Sequence, residues 1–138
     1  MNIAVLGSGN GGCAVAFDCA AHGHQVRLFD FEQFPVSIEA VQNNGGIQCE
    51  GMLEGFQRLA YAGHDIEHTL EAADIIYAVG PAYSTRPFAE ACRPYLKPGQ
   101  IVIVSPGSCG GGIEFKNCAG LDLRDEEILV AETSTLPY

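Results

Sequence analysis

Four glycines fall within six residues, Gly7-Ser8-Gly9-Asn10-Gly11-Gly12, directly after the apolar run Asn2-Ile3-Ala4-Val5-Leu6. A short apolar run that ends in glycine is a buried parallel strand if a helix follows it. A helix is predicted over residues 12–21, which are mostly small or apolar, and Gly23 supplies its stop. The glycines therefore sit at a strand-to-helix turn with G-x-G-x-x-G spacing. Gly7 allows the tight turn, Gly9 leaves the backbone bare for close approach, and Gly12 lets the helix lie against the strand. The helix N-terminus then offers free N–H groups and a positive dipole end to a diphosphate.

The context makes this more than a lone motif. A second strand is predicted over Gln25-Val26-Arg27-Leu28-Phe29-Asp30. Its terminal carboxylate lies about 20 residues beyond the glycines, where dinucleotide-binding domains carry the acid that accepts hydrogen bonds from the adenosine ribose. Asp30 would repel a 2′-phosphate, and residues 31–37 contain no Lys or Arg to neutralise one. Residues 1–30 thus read as the opening βαβ unit of a Rossmann domain that prefers NAD to NADP.

The rest of the chain continues the rhythm. Pro35 opens a helix that ends at Asn44-Gly45-Gly46. Residues 47–62 alternate loosely and read as a third strand followed by a hairpin-like excursion. A short helix is expected over residues 66–73, then a buried strand at Asp74-Ile75-Ile76-Tyr77-Ala78-Val79 ended by Gly80-Pro81. Ser84 or Thr85 caps the next helix, with Pro87 in its first turn. Ile101-Val102-Ile103-Val104 forms a fifth strand, followed by a second glycine-rich loop and a helix through Phe115 and Cys118. Glu127-Ile128-Leu129-Val130-Ala131 forms a sixth strand. Strands alternating with helices predict a doubly wound parallel sheet of strand order 3-2-1-4-5-6, as one domain over residues 1–138. Ligands of such sheets bind outside the strand carboxyl ends. Gly80, Pro81 and Ala82, then Ser105, Pro106 and Gly107, and finally Glu132 with Thr133 and Ser134 are therefore candidates to border the nicotinamide half of the cofactor.

A net charge of −10 argues against nucleic acid and anionic membranes as partners, because both need a basic face. No apolar stretch approaches the ~20 residues of a membrane span, and no secretory signal is visible. Six cysteines, without a C-x-x-C among them, point to reduced thiols in a cytoplasmic protein. Cys13 sits in the first helical turn, where a dipole can lower a thiol pKa, though packing under the glycine loop explains it as well. His64 and His68 are spaced to share a helix face, but no third metal ligand stands near them. Asp122, Asp125, Glu126 and Glu127 read as a solvated turn.

Several segments are familiar as a set. These are the glycine loop with its strand, Gly80-Pro81-Ala82, Tyr95-Leu96-Lys97-Pro98-Gly99-Gln100, Ser105-Pro106-Gly107-Ser108-Cys109-Gly110-Gly111 with Glu114-Phe115, and Ala131-Glu132-Thr133-Ser134-Thr135-Leu136-Pro137-Tyr138. Through them the chain resembles the amino-terminal domain of the octopine/opine dehydrogenase family over essentially its whole length. The first segment also occurs in glycerol-3-phosphate dehydrogenases and ketopantoate reductases; those around Pro106 and Glu132 discriminate better. The resemblance implies reductive condensation, in which an amino acid and a 2-keto acid form an imine that receives hydride from NADH. It also implies a second, helical domain that binds substrate and carries the catalytic histidine. None of the four histidines here matches that residue, so no catalytic residue is assigned.

The resemblance thus implies the NAD half of such an enzyme, turning over only with a helical domain that this chain lacks. A stand-alone NAD(H)-binding sensor or regulatory module is the competing reading, as is the cofactor domain of a glycerol-3-phosphate or ketopantoate-type dehydrogenase. Uncovered surface near the fifth and sixth strands is expected to drive self-association or binding of a separately encoded helical domain. Sedimentation should show this as species heavier than the monomer, or as a co-purifying partner. A monodisperse monomer without a partner contradicts it.

Overall fold

A computed structural model describes residues 1–107 and 109–136. Ser108, Pro137 and Tyr138, which contribute to the resemblance above, lie outside the described residues. The elements run β1 (Asn2–Leu6), α1 (Asn10–Ala21), β2 (Gln25–Phe29), α2 (Pro35–Asn44), β3 (Ile47–Cys49), β4 (Gly55–Gln57), β5 (Tyr61–Gly63) and α3 (Ile66–Leu70). They continue with β6 (Ile75–Val79), a 3₁₀ turn (Ala82–Ser84), α4 (Thr85–Cys92), β7 (Ile101–Ser105), α5 (Gly111–Ala119) and β8 (Leu129–Glu132).

Six strands form one sheet in the order β5-β2-β1-β6-β7-β8, and every pairing in it is parallel. Numbered among these six alone, the order is the expected 3-2-1-4-5-6, the doubly wound Rossmann arrangement. The first-strand runs are buried because helices cover them from both sides. Leu6, Ile76, Ala78, Val102 and Val104 pack under α3, α4 and α5 against Leu70, Phe88, Cys92 and Phe115. Ile3, Val5, Val26 and Leu28 pack on the opposite face, under α1 and α2, against Val15, Phe17, Ile38 and Val41. α2 stops where expected: Gly45 takes a left-handed φ of 70°, and its N–H returns to the Gln42 carbonyl.

The structure corrects the reading of residues 47–62. The hairpin comes first, as β3 paired antiparallel with β4 in a separate two-stranded sheet. The third sheet strand follows it, as β5 paired with β2. Three-residue strands are too short for a two-residue period to reveal their order. The helix expected over residues 66–73 ends at Leu70, and the sixth strand is shifted to Leu129–Glu132. His64 and His68 do not share a helix face, because His64 precedes the N-cap Asp65, whose carboxylate accepts the His68 N–H. Asp122 and Asp125 do more than solvate a turn: their carboxylates accept backbone N–H groups of Arg124, Glu127 and Ile128.

Paired residues of parallel strands share a face, so Ile75, Ile101 and Leu129 line up, as do Tyr77, Ile103 and Ala131. Ile101 is 36% and Leu129 is 53% exposed. On the α1 side the sheet is therefore covered over β1, β2 and β6, where Val79 is buried and Ile75 and Tyr77 pack against the same core, and bare over β7 and β8.

At the opposite end of the sheet, buried Gln100 ties two strand starts together. Its Nε2 donates to the Ala73 carbonyl at 2.9 Å and its Oε1 accepts the Lys97 N–H at 2.8 Å. A buried group left unmatched costs roughly 1–3 kcal/mol. Gln100→Leu orphans two such groups and is expected to lower unfolding stability by about 2 kcal/mol or more in urea titration. A change within about 0.5 kcal/mol, ordinary for a surface substitution, contradicts this role.

Candidate functional site

Strand β1 delivers the chain to the carboxyl edge of the sheet, and the glycines then turn it into α1. Gly7 has φ +104°, and a Cβ on it would stand 2.1 Å from the Val79 carbonyl oxygen. A Cβ on Gly12 would stand 1.8 Å from the Gly7 carbonyl oxygen. Both glycines are thus required by the fold. Gly9 differs: its backbone is ordinary (φ −69°), and a Cβ there would meet nothing within 4 Å. Its side is open space at the N-cap of α1.

The first intrahelical bond runs from the Cys13 N–H to the Gly9 carbonyl at 2.9 Å. Asn10, Gly11 and Gly12 therefore have no helical acceptor for their N–H groups. No side chain caps this end, and its first turn carries no acid. An open glycine beside free N–H groups and a positive dipole end fits a diphosphate.

Asp30 stands immediately past β2 and is 7% exposed. Its Oδ2 accepts both the Ser8 N–H and the Ser8 Oγ–H, each at 2.7 Å, and its Oδ1 accepts the Phe31 N–H at 2.8 Å. His64 approaches from behind: its Nδ1 donates to the Asp30 carbonyl at 2.7 Å. Cys13 Sγ donates to the Ser8 carbonyl at 3.3 Å. Burial pushes the Cys13 thiol up from its ordinary pKa, and nearby Cys49 and Asp30 raise it further. Cys13 is therefore packing beneath the loop, and the dipole does not make it an activated thiol. Cys92, deep under the sheet, is pushed up to about 12 by burial.

These groups open onto a cleft of about 600 Å³. Of the candidate residues, Gly7, Ser8, Gly9, Asp30, Gly80 and Pro81 line it together. Asn10, Gly11 and Gly12 form the first turn of α1 beside it, and Ala82 lies in the exposed 3₁₀ turn past Pro81. Ser105, Pro106, Gly107 and Glu132 do not line it. They gather at the ends of β7 and β8, where the Ser105 and Thr133 hydroxyls stand 3.0 Å apart. There the Glu132 carboxylate accepts the Gly112 N–H at 2.7 Å, so it holds the start of α5. The second glycine loop wraps it closely, since a Cβ on Gly107 would stand 2.3 Å from the Glu132 Cβ.

Sequence reasoning missed the apolar walls of the cleft. Phe31, Phe34, Pro35 and Val36 form one side; Tyr83, Pro87 and Phe88 form the other. Phe31 stacks on Phe88 with ring centroids 5.4 Å apart and edges against Phe29 at 5.2 Å. Phe34, Val36 and Tyr83 are 56%, 78% and 82% exposed. The available signal was four apolar residues, Phe31, Phe34, Pro35 and Val36, within six positions of the acid. None of the four histidines lines the cleft. Among the described residues no group of three or more His, Cys, Asp or Glu could hold a metal, and no helix is long and apolar enough to cross a membrane.

A family profile described as NAD-dependent glycerol-3-phosphate dehydrogenase N-terminus matches residues 2–121. The chain is 34% identical over 139 residues to an opine dehydrogenase of Arthrobacter sp. (strain 1C), covering 98% of this chain and 37% of that protein. It is 36% identical over 116 residues to a glycerol-3-phosphate dehydrogenase [NAD(P)+] of Nitratidesulfovibrio vulgaris (strain DP4), covering 83% of this chain and 33% of that protein. The chain thus spans about a third of the length of these relatives. Among solved structures, octopine dehydrogenase in complex with NADH and agmatine superposes with a TM-score of 0.84 at 20% identity, covering 100% of this chain and 36% of that one. A putative 2-dehydropantoate 2-reductase from Enterococcus faecalis reaches 0.73 at 27% identity, covering 94% of this chain and 40% of that one. Matched along most of its length and carrying the loop geometry such a domain needs, the chain belongs to the family of NAD-dependent glycerol-3-phosphate dehydrogenase N-termini, as an NAD-binding domain that also matches the opine dehydrogenases.

Proposed function

We propose that this chain is the NAD(H)-binding half of an opine-type dehydrogenase, which condenses an amino acid with a 2-keto acid reductively, in concert with a helical domain that supplies the acid–base group. The observation that carries this reading is the extent of the match. Similarity to the opine dehydrogenase covers 98% of the chain, against 83% for the glycerol-3-phosphate dehydrogenase, and the family profile stops at residue 121. The additional stretch includes β8 and the Glu132 segment.

In this reading the N–H groups of Asn10, Gly11 and Gly12 hold the pyrophosphate, with Gly9 leaving it room. Asp30 accepts from the adenosine ribose, and Phe34, Val36 and Tyr83 flank the adenine. Gly80, Pro81 and Ala82 lead toward the nicotinamide half, which Ser105, Pro106, Gly107 and Glu132 border. When bound, NADH supplies the hydride that reduces the imine carbon. The chain's own residues bind and orient. The exposed face of β7 and β8, with Ile101 and Leu129, is where a helical domain or a second copy packs, because apolar surface of this kind gains from being covered.

NAD is favoured over NADP because Asp30 puts a carboxylate on the cleft and residues 31–37 carry no cation. Calorimetric titration is expected to show NADH binding at least about tenfold tighter than NADPH, a difference of one 1.4 kcal/mol step; the reverse order overturns the assignment. Gly9→Val puts a branched side chain into the open cradle. It is expected to weaken NADH binding by at least about tenfold while the chain stays folded, with only a small loss of melting temperature from the poorer N-cap, since a Cβ there meets nothing within 4 Å. Retained affinity in that variant removes the glycine loop from the site. Finally, this chain joined to the remainder of the Arthrobacter opine dehydrogenase should oxidise NADH only when both an amino acid and a 2-keto acid are present. Turnover of glycerol 3-phosphate instead would assign the chain to the other branch of its relatives.

A further inference from the structure

The Ser8 hydroxyl sits on the carboxylate that is meant to receive the cofactor's ribose. An ionised carboxylate offers about four lone-pair sites, two on each oxygen. The Ser8 N–H and Ser8 Oγ–H fill both sites of Oδ2, and the Phe31 N–H fills one site of Oδ1. One acceptor site remains among the described residues, on Oδ1. Yet an adenosine ribose presents two hydroxyls, at 2′ and 3′.

The hydroxyl is held where it is. Ser8 is 2% exposed, and its carbonyl is engaged by the Cys13 thiol. Its N–H lies on the same oxygen as its side chain, which aligns backbone and hydroxyl together. Asp30 is fixed in turn, because its N–H donates to the Gly63 carbonyl at 3.3 Å and its own carbonyl accepts from His64. If the hydroxyl left, the Oγ–H would need another acceptor.

We infer that Ser8 is a positioning residue that makes the site specific for a single ribose hydroxyl: by occupying Asp30 Oδ2 through both its N–H and its Oγ–H, it leaves Oδ1 to accept one hydroxyl of the adenosine ribose and not both. This inference rests on the proposed placement of NAD(H) in the cleft. It departs from a symmetric grip, in which each carboxylate oxygen would take one hydroxyl. Ser8→Ala keeps the N–H and removes the Oγ–H, so it opens a second acceptor site on Oδ2 without changing the charge of the carboxylate.

The test uses three ligands on the same chain: NAD, an NAD analogue lacking the adenosine 2′-hydroxyl, and one lacking the 3′-hydroxyl. Binding is read by calorimetry. With the natural chain, only one of the two analogues is expected to lose affinity, by about tenfold or more, the effect of removing a hydrogen bond to a charged acceptor. With Ser8→Ala, both analogues are expected to lose affinity relative to NAD. A destabilised loop would weaken all three ligands alike, so this pattern separates positioning from structural damage. Equal losses for both analogues on the natural chain overturn the inference while leaving the cofactor assignment in place. So does a Ser8→Ala variant that keeps the natural one-sided pattern. Failure of NAD itself to bind the natural chain overturns the assignment and the inference together.

Discussion

Where β1 hands over to α1, two backbones meet with no room for a side chain: a Cβ on Gly12 would lie 1.8 Å from the Gly7 carbonyl oxygen. That contact sets the angle at which α1 leaves the sheet, and much of the molecule follows from the angle. It aims the helix N-terminus at the carboxyl edge of the strands, beside the cleft that Gly7, Ser8 and Gly9 line. It lays Val15, Ala16 and Phe17 over β1 and β2, which forms the first of the two cores. The Gly7 N–H also bonds the Phe29 carbonyl at 2.8 Å, so the same turn registers β1 against β2 and brings Asp30 to Ser8. Packing, helix dipole and the Asp30 carboxylate are therefore positioned by a single point of close approach.

The two halves of the sheet are finished differently. Helices α1 and α2 and the small β3–β4 hairpin cover one face of β1 and β2, while α3, α4 and α5 cover the other face of the sheet. Among the described residues the α1-side face of β7 and β8 exposes the aliphatic side chains of Ile101 and Leu129. Burial of apolar area is the main favourable term in folding and association, so this half holds free energy that only another surface can release. The cleft lies at the carboxyl ends of β1, β2 and β6.

Much of this was legible in the residues. Buried parallel strands announce themselves as aliphatic runs bounded by turn residues, and Ile75-Ile76-Tyr77-Ala78-Val79 and Ile101-Val102-Ile103-Val104 fell where expected. The glycine loop and Asp30 were readable because their spacing is imposed by a fixed piece of geometry, one strand, one helix and one strand long. The order of β3, β4 and β5 was hidden, since strands of three residues share no pattern long enough to tell sheet from hairpin. The cleft walls were hidden for another reason. Phe34 and Val36 are exposed apolar side chains at the start of α2 and Tyr83 is one in the 3₁₀ turn after β6, and only the fold brings the two segments to the same cleft. Glu132 also illustrates the limit: the residues around it read as a strand end, but only the structure shows its carboxylate at the start of α5.

The third glycine of the loop has a different master from its neighbours. Gly11 occupies a variable position of the G-x-G-x-x-G spacing, and a Cβ there would come within 3.3 Å of both Leu136 Cδ2 and Val79 Cγ1. The segment after β8 crosses back over the ends of the strands, with Thr133 bonded to Val104 and Gly107, before Leu136 reaches α1. The size permitted at position 11 is thus dictated from the far end of the chain. Among homologues the two positions should covary: alanine or serine at 11 belongs with a smaller side chain at 136, and an unchanged leucine at 136 belongs with glycine at 11.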